Sequence, residues 1–293
     1  MFGFINVYKP VGMTSHDVVG FLRRITKIRQ IGHTGTLDPF AEGVLPIAIG
    51  KATRLIEYLN DDKAYIGRFC FGKSTDTYDI EGNEVNIFEE KISKPEIISI
   101  LSQFCGNIEQ YPPIYSAKKI NGKKMYELAR AGIGVNDIEI KPCKVNIYKI
   151  EMLEFNQEEQ WADIYIECSK GTYIRSMAND LGKALNNGCY LSKLKRVQAG
   201  KFSVENSVKL DDLKTSEDVQ KVLLNPLDYL PQLTQELNKI EYERISHGMN
   251  IFNRINSKEN DTIMLIKNNQ LVGIAQTTSD GLKPKKVFIN YFY

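Results

Sequence analysis

The order of periodic segments limits the fold of this chain more than any other feature, because strand-like and helix-like runs follow one another without the strict alternation that a doubly wound parallel sheet requires. Tyr65 to Gly72 and Trp161 to Cys168 run with a period of two, the second placing Ile164, Ile166 and Cys168 on one face; both predict strands. Ser15 stands where it can cap a helix whose Val18, Phe21, Leu22 and Ile25 fall at i, i+3, i+4 and i+7, with the basic side chains opposite. Ser93 and Pro95 open a second helix, which bears Ile97, Ile98, Leu101 and Phe104 and ends at Gly106. A third, from about Ile174 to Asn187, turns Met177, Ala178, Leu181 and Leu185 inward and stops before Gly188. The predicted class is α+β.

A chain of 293 residues exceeds what one core comfortably organises, so two domains are expected. The boundary is placed near Pro226 to Leu237. Beyond it Thr262 to Ile266 and Gln270 to Ala275 flank an Asn268-Asn269 turn, and Lys286 to Tyr293 alternates again. Residues 1–230 are read as the main domain and 231–293 as a small β-rich one.

Composition excludes several classes. At 42% apolar and 25% charged residues the chain can bury a sizeable core and is not disordered in character. No apolar run approaches the roughly 18 to 20 residues of a membrane span, and Met1 to Pro10 has no long apolar segment for export, so a cytoplasmic protein with no membrane partner is expected. The cysteines at 70, 105, 143, 168 and 189 form no CxxC pair and lie far from the three histidines, which argues against zinc and disulfide frameworks. A net charge of +2 says little about nucleic acid, but its distribution does. Val18 to Leu37 holds Arg23, Arg24, Lys27 and Arg29 with no acid, and Leu181 to Val204 holds Lys183, Lys193, Lys195, Arg196 and Lys201 with none. One such run is compatible with a solvated face; several together point to a polyanion.

Five local patterns carry chemistry. Lys9 to Ser15 (KPVGMTS) is a proline and glycine turn leading into a helix. Gly32 to Pro39 (GHTGTLDP) sets His33 and Asp38 five residues apart on a glycine-rich loop, with the proline biasing Asp38 toward extended backbone. Lys63 to Gly82 joins a strand containing Tyr65 to a turn with Asp76, Asp79 and Glu81, whose spacing does not fit an EF-hand calcium loop. Pro112 to Gly132 interleaves Lys118, Lys119, Lys123, Lys124 and Arg130 with Tyr115 and Tyr126, the mixture of bases and rings that nucleic-acid grooves use. Cys168 to Gly182 (CSKGTYIRSMANDLG) places Arg175 in the first turn of a helix, where the dipole disfavours a cation and a carboxylate partner would make sense of it.

Taken in order, KPVGMTS, GHTGTLDPFAEGVLPIAIGKATR, the GKSTDTYDIEG turn, PPIYSAKKINGKKMYELARAG and CSKGTYIRSMANDLG resemble the bacterial tRNA pseudouridine-55 synthase family, known as TruB, over roughly residues 4 to 210. The resemblance implies a mixed, largely antiparallel central sheet flanked by helices, with a small PUA-like RNA-binding domain at the C-terminus. It also implies isomerisation of a uridine in the tRNA T arm without metal or organic cofactor and without an obligate protein partner. By position in the motifs, Asp38 matches the catalytic carboxylate and Arg175 the arginine paired with it. Tyr65 matches the tyrosine stacked on the target base, and His33 the histidine inserted where that base is extruded. Leu194, in LSKLKR, looks like the apolar residue of the uracil pocket. The segment at about 112–142 falls where the family carries an RNA-clamping insertion, so Lys118, Lys119, Lys123 and Lys124 are expected to contact phosphates. The rival expectation is a non-catalytic tRNA-binding or folding protein, which would need none of Asp38, Tyr65 and Arg175. A hydrolase using Asp38 and His33 lacks a recognisable nucleophile or metal set.

Overall fold

The computed structural model describes residues 1–116, 122, 125, 140–230 and 233–288, together with the backbone of 119–120 and 123–124. The chain opens with β1 (Gly3–Lys9), α1 (Ser15–Thr26), β2 (Ile31–His33), β3 (Glu42–Ile49) and, after a 3-10 segment over Gly50–Tyr58, β4 (Lys63–Phe71). A small hairpin, β5 (Lys73–Thr75) with β6 (Glu84–Ile87), precedes α2 (Lys94–Leu101) and β7 (Gly106–Gln110). The short β8 (Lys119–Ile120) and β9 (Lys123–Lys124) pair with each other. Then come β10 (Cys143–Asn156), β11 (Trp161–Cys168), α3 (Ile174–Ala184), β12 (Cys189–Ala199), β13 (Phe202–Ser203), β14 (Val208–Lys209) and α4 (Ser216–Lys221). The C-terminal part holds β15 (Thr234–Glu236), α5 (Lys239–Ser246), β16 (Thr262–Lys267), β17 (Gln270–Thr278) and β18 (Gly281–Val287).

The expected mixed, largely antiparallel sheet is present. Its order is β14-β1-β3-β12-β4-β11-β10-β7, with β13 added to β12 and β2 to β3. Only the β1–β14 and β3–β12 pairings are parallel. On one face α2 and α3 cover a core that includes Phe69, Ile97, Leu101, Ile164, Ile166, Met177, Leu181 and Leu191. β3 is buried on both faces: Leu45, Ile47 and Ile49 pack with Val18 and Leu22 of α1, whereas Val44 and Ala48 pack with the C-terminal part. Burial on both sides is the reason EGVLPIAI is an unbroken apolar run and not an alternating one.

Pro46 sits in the middle of β3, where a missing N–H would normally break a ladder. It does not here, because β12 leaves β3 at Gly43 and β2 joins only at Ile47. The Pro46 carbonyl, on that same edge, accepts from the Thr34 amide at 3.1 Å. Gly43 marks the crossing: its φ is +104° and a Cβ would lie 2.2 Å from the Arg196 carbonyl oxygen, so no other residue fits.

Three expectations need correction. The cap of α1 is Thr14, not Ser15; Thr14 and Asp17 form a reciprocal capping box, which frees the Ser15 hydroxyl for another task. Ile98 of α2 faces solvent, because the inward stripe of this eight-residue helix runs through Ile97 and Leu101 at i and i+4. The last described strand, Gly281–Val287, begins earlier than the alternation of 286–293 suggests, since it pairs along β17 from the turn after Thr278. Residues 289–293 lie outside the described residues. The Asn268-Asn269 turn is as expected, both residues at positive φ between β16 and β17.

Candidate active site

Asp38 stands where a backbone loop is tied down on three sides. The Ser15 hydroxyl donates to the Leu37 carbonyl at 3.1 Å and accepts from the Leu37 amide at 2.8 Å, so the residue displaced from the capping role holds the neighbour of Asp38. The Gly12 amide donates to the Pro39 carbonyl at 2.8 Å, bringing the KPVGMTS turn against GHTGTLDP. Lys9, fully buried, directs its ammonium at the carbonyls of Met13 (2.6 Å), Pro10 (2.9 Å) and Pro39 (3.4 Å). Burial lowers the Lys9 pKa to about 8, against the pull of the Asp38 charge.

Arg175 arrives from the start of α3. Gln110 of β7 fixes that helix end by accepting from the Tyr173 amide at 2.7 Å and donating to the Tyr173 carbonyl at 2.9 Å. The guanidinium, 7% accessible, meets Asp38 through Nε at 2.9 Å and Nη2 at 3.3 Å. Its Nη1 donates to Asp79 at 3.1 Å and to the Thr77 carbonyl at 3.2 Å, and Nη2 also donates to the Tyr115 carbonyl at 2.9 Å. The cation at an unfavourable helix end thus has two carboxylates and two carbonyls. Asp79 is held in turn by the Thr77 hydroxyl (2.6 Å) and the Glu81 amide (3.0 Å), while the flanking Tyr78 and Ile80 bind Leu191 of β12.

The Asp38 side chain keeps 32% of its surface open, whereas its partner Arg175 keeps 7%. Loss of solvent raises its pKa above the ordinary carboxylate range, the Asp79 charge adds to this, and Arg175 and Lys9 oppose it. Tyr65 of β4 and Leu194 of β12, each 6% exposed, join Leu37 and Phe40 in the same apolar cluster beside it. Burial raises the Tyr65 pKa, and the Arg196 guanidinium works against that rise. His33 lies at the end of β2, half-buried, with Nδ1 unpartnered; burial, then the Arg196 charge, lowers its pKa.

The structure therefore brings Asp38, Arg175, Tyr65 and Leu194 together and leaves His33 on the neighbouring short strand. Of the four lysines expected to contact RNA, Lys119, Lys123 and Lys124 have their backbone in the β8–β9 hairpin, and Lys118 and all four side chains lie outside the described residues. Among the described residues no three His, Cys, Asp or Glu side chains converge as a metal site.

A family model described as the TruB family pseudouridylate synthase N-terminal domain matches residues 23–174, and one described as the tRNA pseudouridylate synthase B C-terminal domain matches 175–231. The chain belongs to the TruB family. It is thus a pseudouridine synthase, an isomerase. Proteins named tRNA pseudouridine synthase B from Caldanaerobacter subterraneus subsp. tengcongensis and Clostridium tetani are 40% and 37% identical to it. Those alignments cover 98% and 99% of this chain and 99% and 100% of the relatives. Among solved structures, a Cbf5-Nop10-Gar1 complex contains a chain with TM-score 0.72 and 25% identity, matched over 98% of this chain and 84% of that one. An H/ACA RNP bound to a substrate RNA containing 2′-deoxyuridine has the same TM-score at 24% identity and shares the fold.

Within this TruB-family frame the sequence reading missed three buried polar residues. The turn that holds Asp79 is a motif of the resemblance, but no partner is expected for Asp79 itself; its 3% exposure and its bond to Arg175 follow from β12 passing beside the turn. Lys9 was read as part of a turn. Arg196 was counted in a basic run and yet is fully buried, because β12 alternates and places Lys193 and Lys195 outward and Arg196 in. The alternation Leu194-Lys195-Arg196, past the bulge between Leu191 and Lys193, was the available signal for Arg196; nothing local distinguished Asp79 from Asp76.

Proposed function

We propose that the chain converts uridine 55 in the T loop of tRNA to pseudouridine, with Asp38 as the catalytic carboxylate. The ion pair between Asp38 and a buried Arg175 carries this reading, together with relatives that bear the name of a tRNA pseudouridine synthase. Pseudouridine formation breaks the N1–C1′ bond, turns the uracil and rejoins it through C5. It needs a carboxylate at the sugar or uracil, either as nucleophile or as base toward a sugar proton. Arg175 favours the ionised form of Asp38 against desolvation, and the open third of its surface is where the sugar would approach.

The target base is stacked inside the T loop and must be extruded. His33 fills the gap that it leaves; Tyr65 stacks on the uracil and removes the C5 proton, and Leu194 lines the pocket that holds the detached ring. Lys118, Lys119, Lys123 and Lys124 bind phosphates and position the arm without reading sequence. The Tyr115 carbonyl bound to Arg175 ties the start of that segment to the active site. The C-terminal unit acts as a PUA-like RNA-binding domain.

The test is Asp38→Asn. Product mapped by carbodiimide-dependent primer-extension stops on unmodified tRNA is expected to vanish, with tRNA affinity kept within a few-fold. Normal turnover in that variant ends the assignment of Asp38, and modification outside the T loop overturns the substrate while leaving the chemistry.

A further inference from the structure

Arg196 is a cation buried without a matching anion. Its side chain has no exposed surface, its Nε donates to the Val44 carbonyl at 2.6 Å and its Nη2 to the Gly35 carbonyl at 3.1 Å. Nη1 has no acceptor in good geometry. Both acceptors are neutral carbonyls, one in β3 and one in the loop that carries Asp38, and an uncompensated buried charge costs several kcal/mol. A methionine or leucine could fill the same volume, so packing alone does not explain the residue.

The sheet register shows what the charge faces. Arg196 of β12 is the direct cross-strand partner of Tyr65 of β4, so both side chains rise from the same face of the sheet. The other groups acting on the Tyr65 phenol are Cys168 of β11 and Asp38 of the loop, and both disfavour a phenolate; the Arg196 guanidinium favours one through its charge and as a donor. Around Arg196 itself lie Lys9, His33 and Lys63, each of which feels its charge, while Asp38, Glu42 and Asp17 act on Lys9 and Asp61 and Asp62 on Lys63.

We propose that Arg196 is the positioning residue for Tyr65, its free Nη1 donating to the phenolate oxygen that takes the C5 proton in the last step of the isomerisation. This rests on the role given to Tyr65 above. In that step the phenol's own proton has gone to solvent, and the C5–H bond of the newly joined C-glycoside breaks. Its proton passes to Tyr65 Oη and its electron pair forms the C5–C6 double bond. The former N1–C6 double-bond pair returns to N1, which takes a proton from solvent. The two carbonyl bonds hold the guanidinium ready in advance and leave Nη1 for the Tyr65 oxygen, which becomes a stronger acceptor as it ionises.

Single-turnover rates on tRNA carrying uridine or 5-deuterouridine at the target separate this from a structural role. Lys9 titrates near 8 in the same cleft, so an isotope effect is a cleaner readout than a pH profile. Arg196→Gln is expected to slow the reaction roughly tenfold or more and to raise the deuterium effect above that of the unaltered enzyme. Replacing Tyr65 by 3,5-difluorotyrosine, a more acidic phenol, is then expected to restore much of the lost rate in the Arg196→Gln background. If Arg196→Gln does not fold, Arg196→Lys keeps the charge and removes the fork, and the same two signs are expected from it. A slowed variant with an unchanged isotope effect and no recovery on fluorination overturns the proposal and leaves Arg196 as a support for the loop. Undiminished turnover in Tyr65→Phe instead removes the role of Tyr65 on which the proposal stands.

Discussion

At the scale of single residues, the site is a chain of charges in which each member sets the next. Arg175 divides its donors between Asp38 and Asp79, and Asp79 is far less accessible than Asp38, so Asp79 serves as anchor while Asp38 keeps an open face. Asp79→Asn is therefore expected to swing the guanidinium and lower the single-turnover rate about a hundredfold, the usual effect of an ångström-scale misplacement, with RNA affinity little changed. Wild-type rates in that variant would show that the Thr77 and Tyr115 carbonyls suffice to hold Arg175. The raised pKa of Asp38 has a thermodynamic consequence as well. Between its unfolded and folded values the native protein retains a proton that the unfolded chain has released, so the stability contributed by this group is present at low pH and is lost as pH rises through that window. Asp38→Asn is expected to melt at or above the temperature of the unaltered protein at pH 7, and the difference should shrink toward pH 4. A lower melting temperature at pH 7 would mean that the ion pair, not desolvation, dominates.

At the scale of elements, α1 assigns different work to adjacent residues. Thr14 and Asp17 close its first turn, and Ser15 reaches across to the loop that carries Asp38. Thr14→Ala is expected to cost about 1 kcal/mol of unfolding free energy with no change in turnover. Ser15→Ala is expected to slow turnover at least severalfold while RNA affinity is kept, because both of its bonds hold Leu37, next to Asp38 and the proposed chemistry. Denaturant titration alongside single-turnover kinetics distinguishes the two, and equal kinetic losses would mean that the loop depends on the helix as a whole. The capping signal was legible to within one residue. The cross-link was not, since the two segments are 22 residues apart and meet only because β1 and β3 pair.

At the scale of the whole molecule, the C-terminal sheet of β15 to β18 does not have a core entirely its own. Met264, Leu271, Ile274 and Phe288 share a cluster with Phe4, Val44, Ala48 and Leu55 of the main sheet, and Lys286 pairs with Glu57 at 2.9 Å. Arg54 lies over the Phe288 ring. Removing residues 231–293 is expected to expose that apolar surface and lower the melting temperature of the remainder or make it aggregate. An unchanged melting temperature for 1–230 would show that the shared cluster contributes little. The two family segments meet between Ile174 and Arg175, inside α3, so that border divides the sequence and not the central sheet.

The sequence by itself determined the elements and the motif that names the chemistry. Periods of two and 3.6, glycine stops and proline starts depend on neighbours a few residues away, and the ordered motifs put Asp38, Tyr65 and Arg175 within view. Only the tertiary structure decided what each charge meets. Asp79, Lys9 and Arg196 look like surface residues in the sequence because partners and burial come from strands far away along the chain. The β4–β12 register sets Arg196 opposite Tyr65, and the Asp79 turn reaches Arg175 because β12 runs beside it. Electrostatic energies depend on separation in space and on exclusion of water, and neither is a property of a short stretch of sequence.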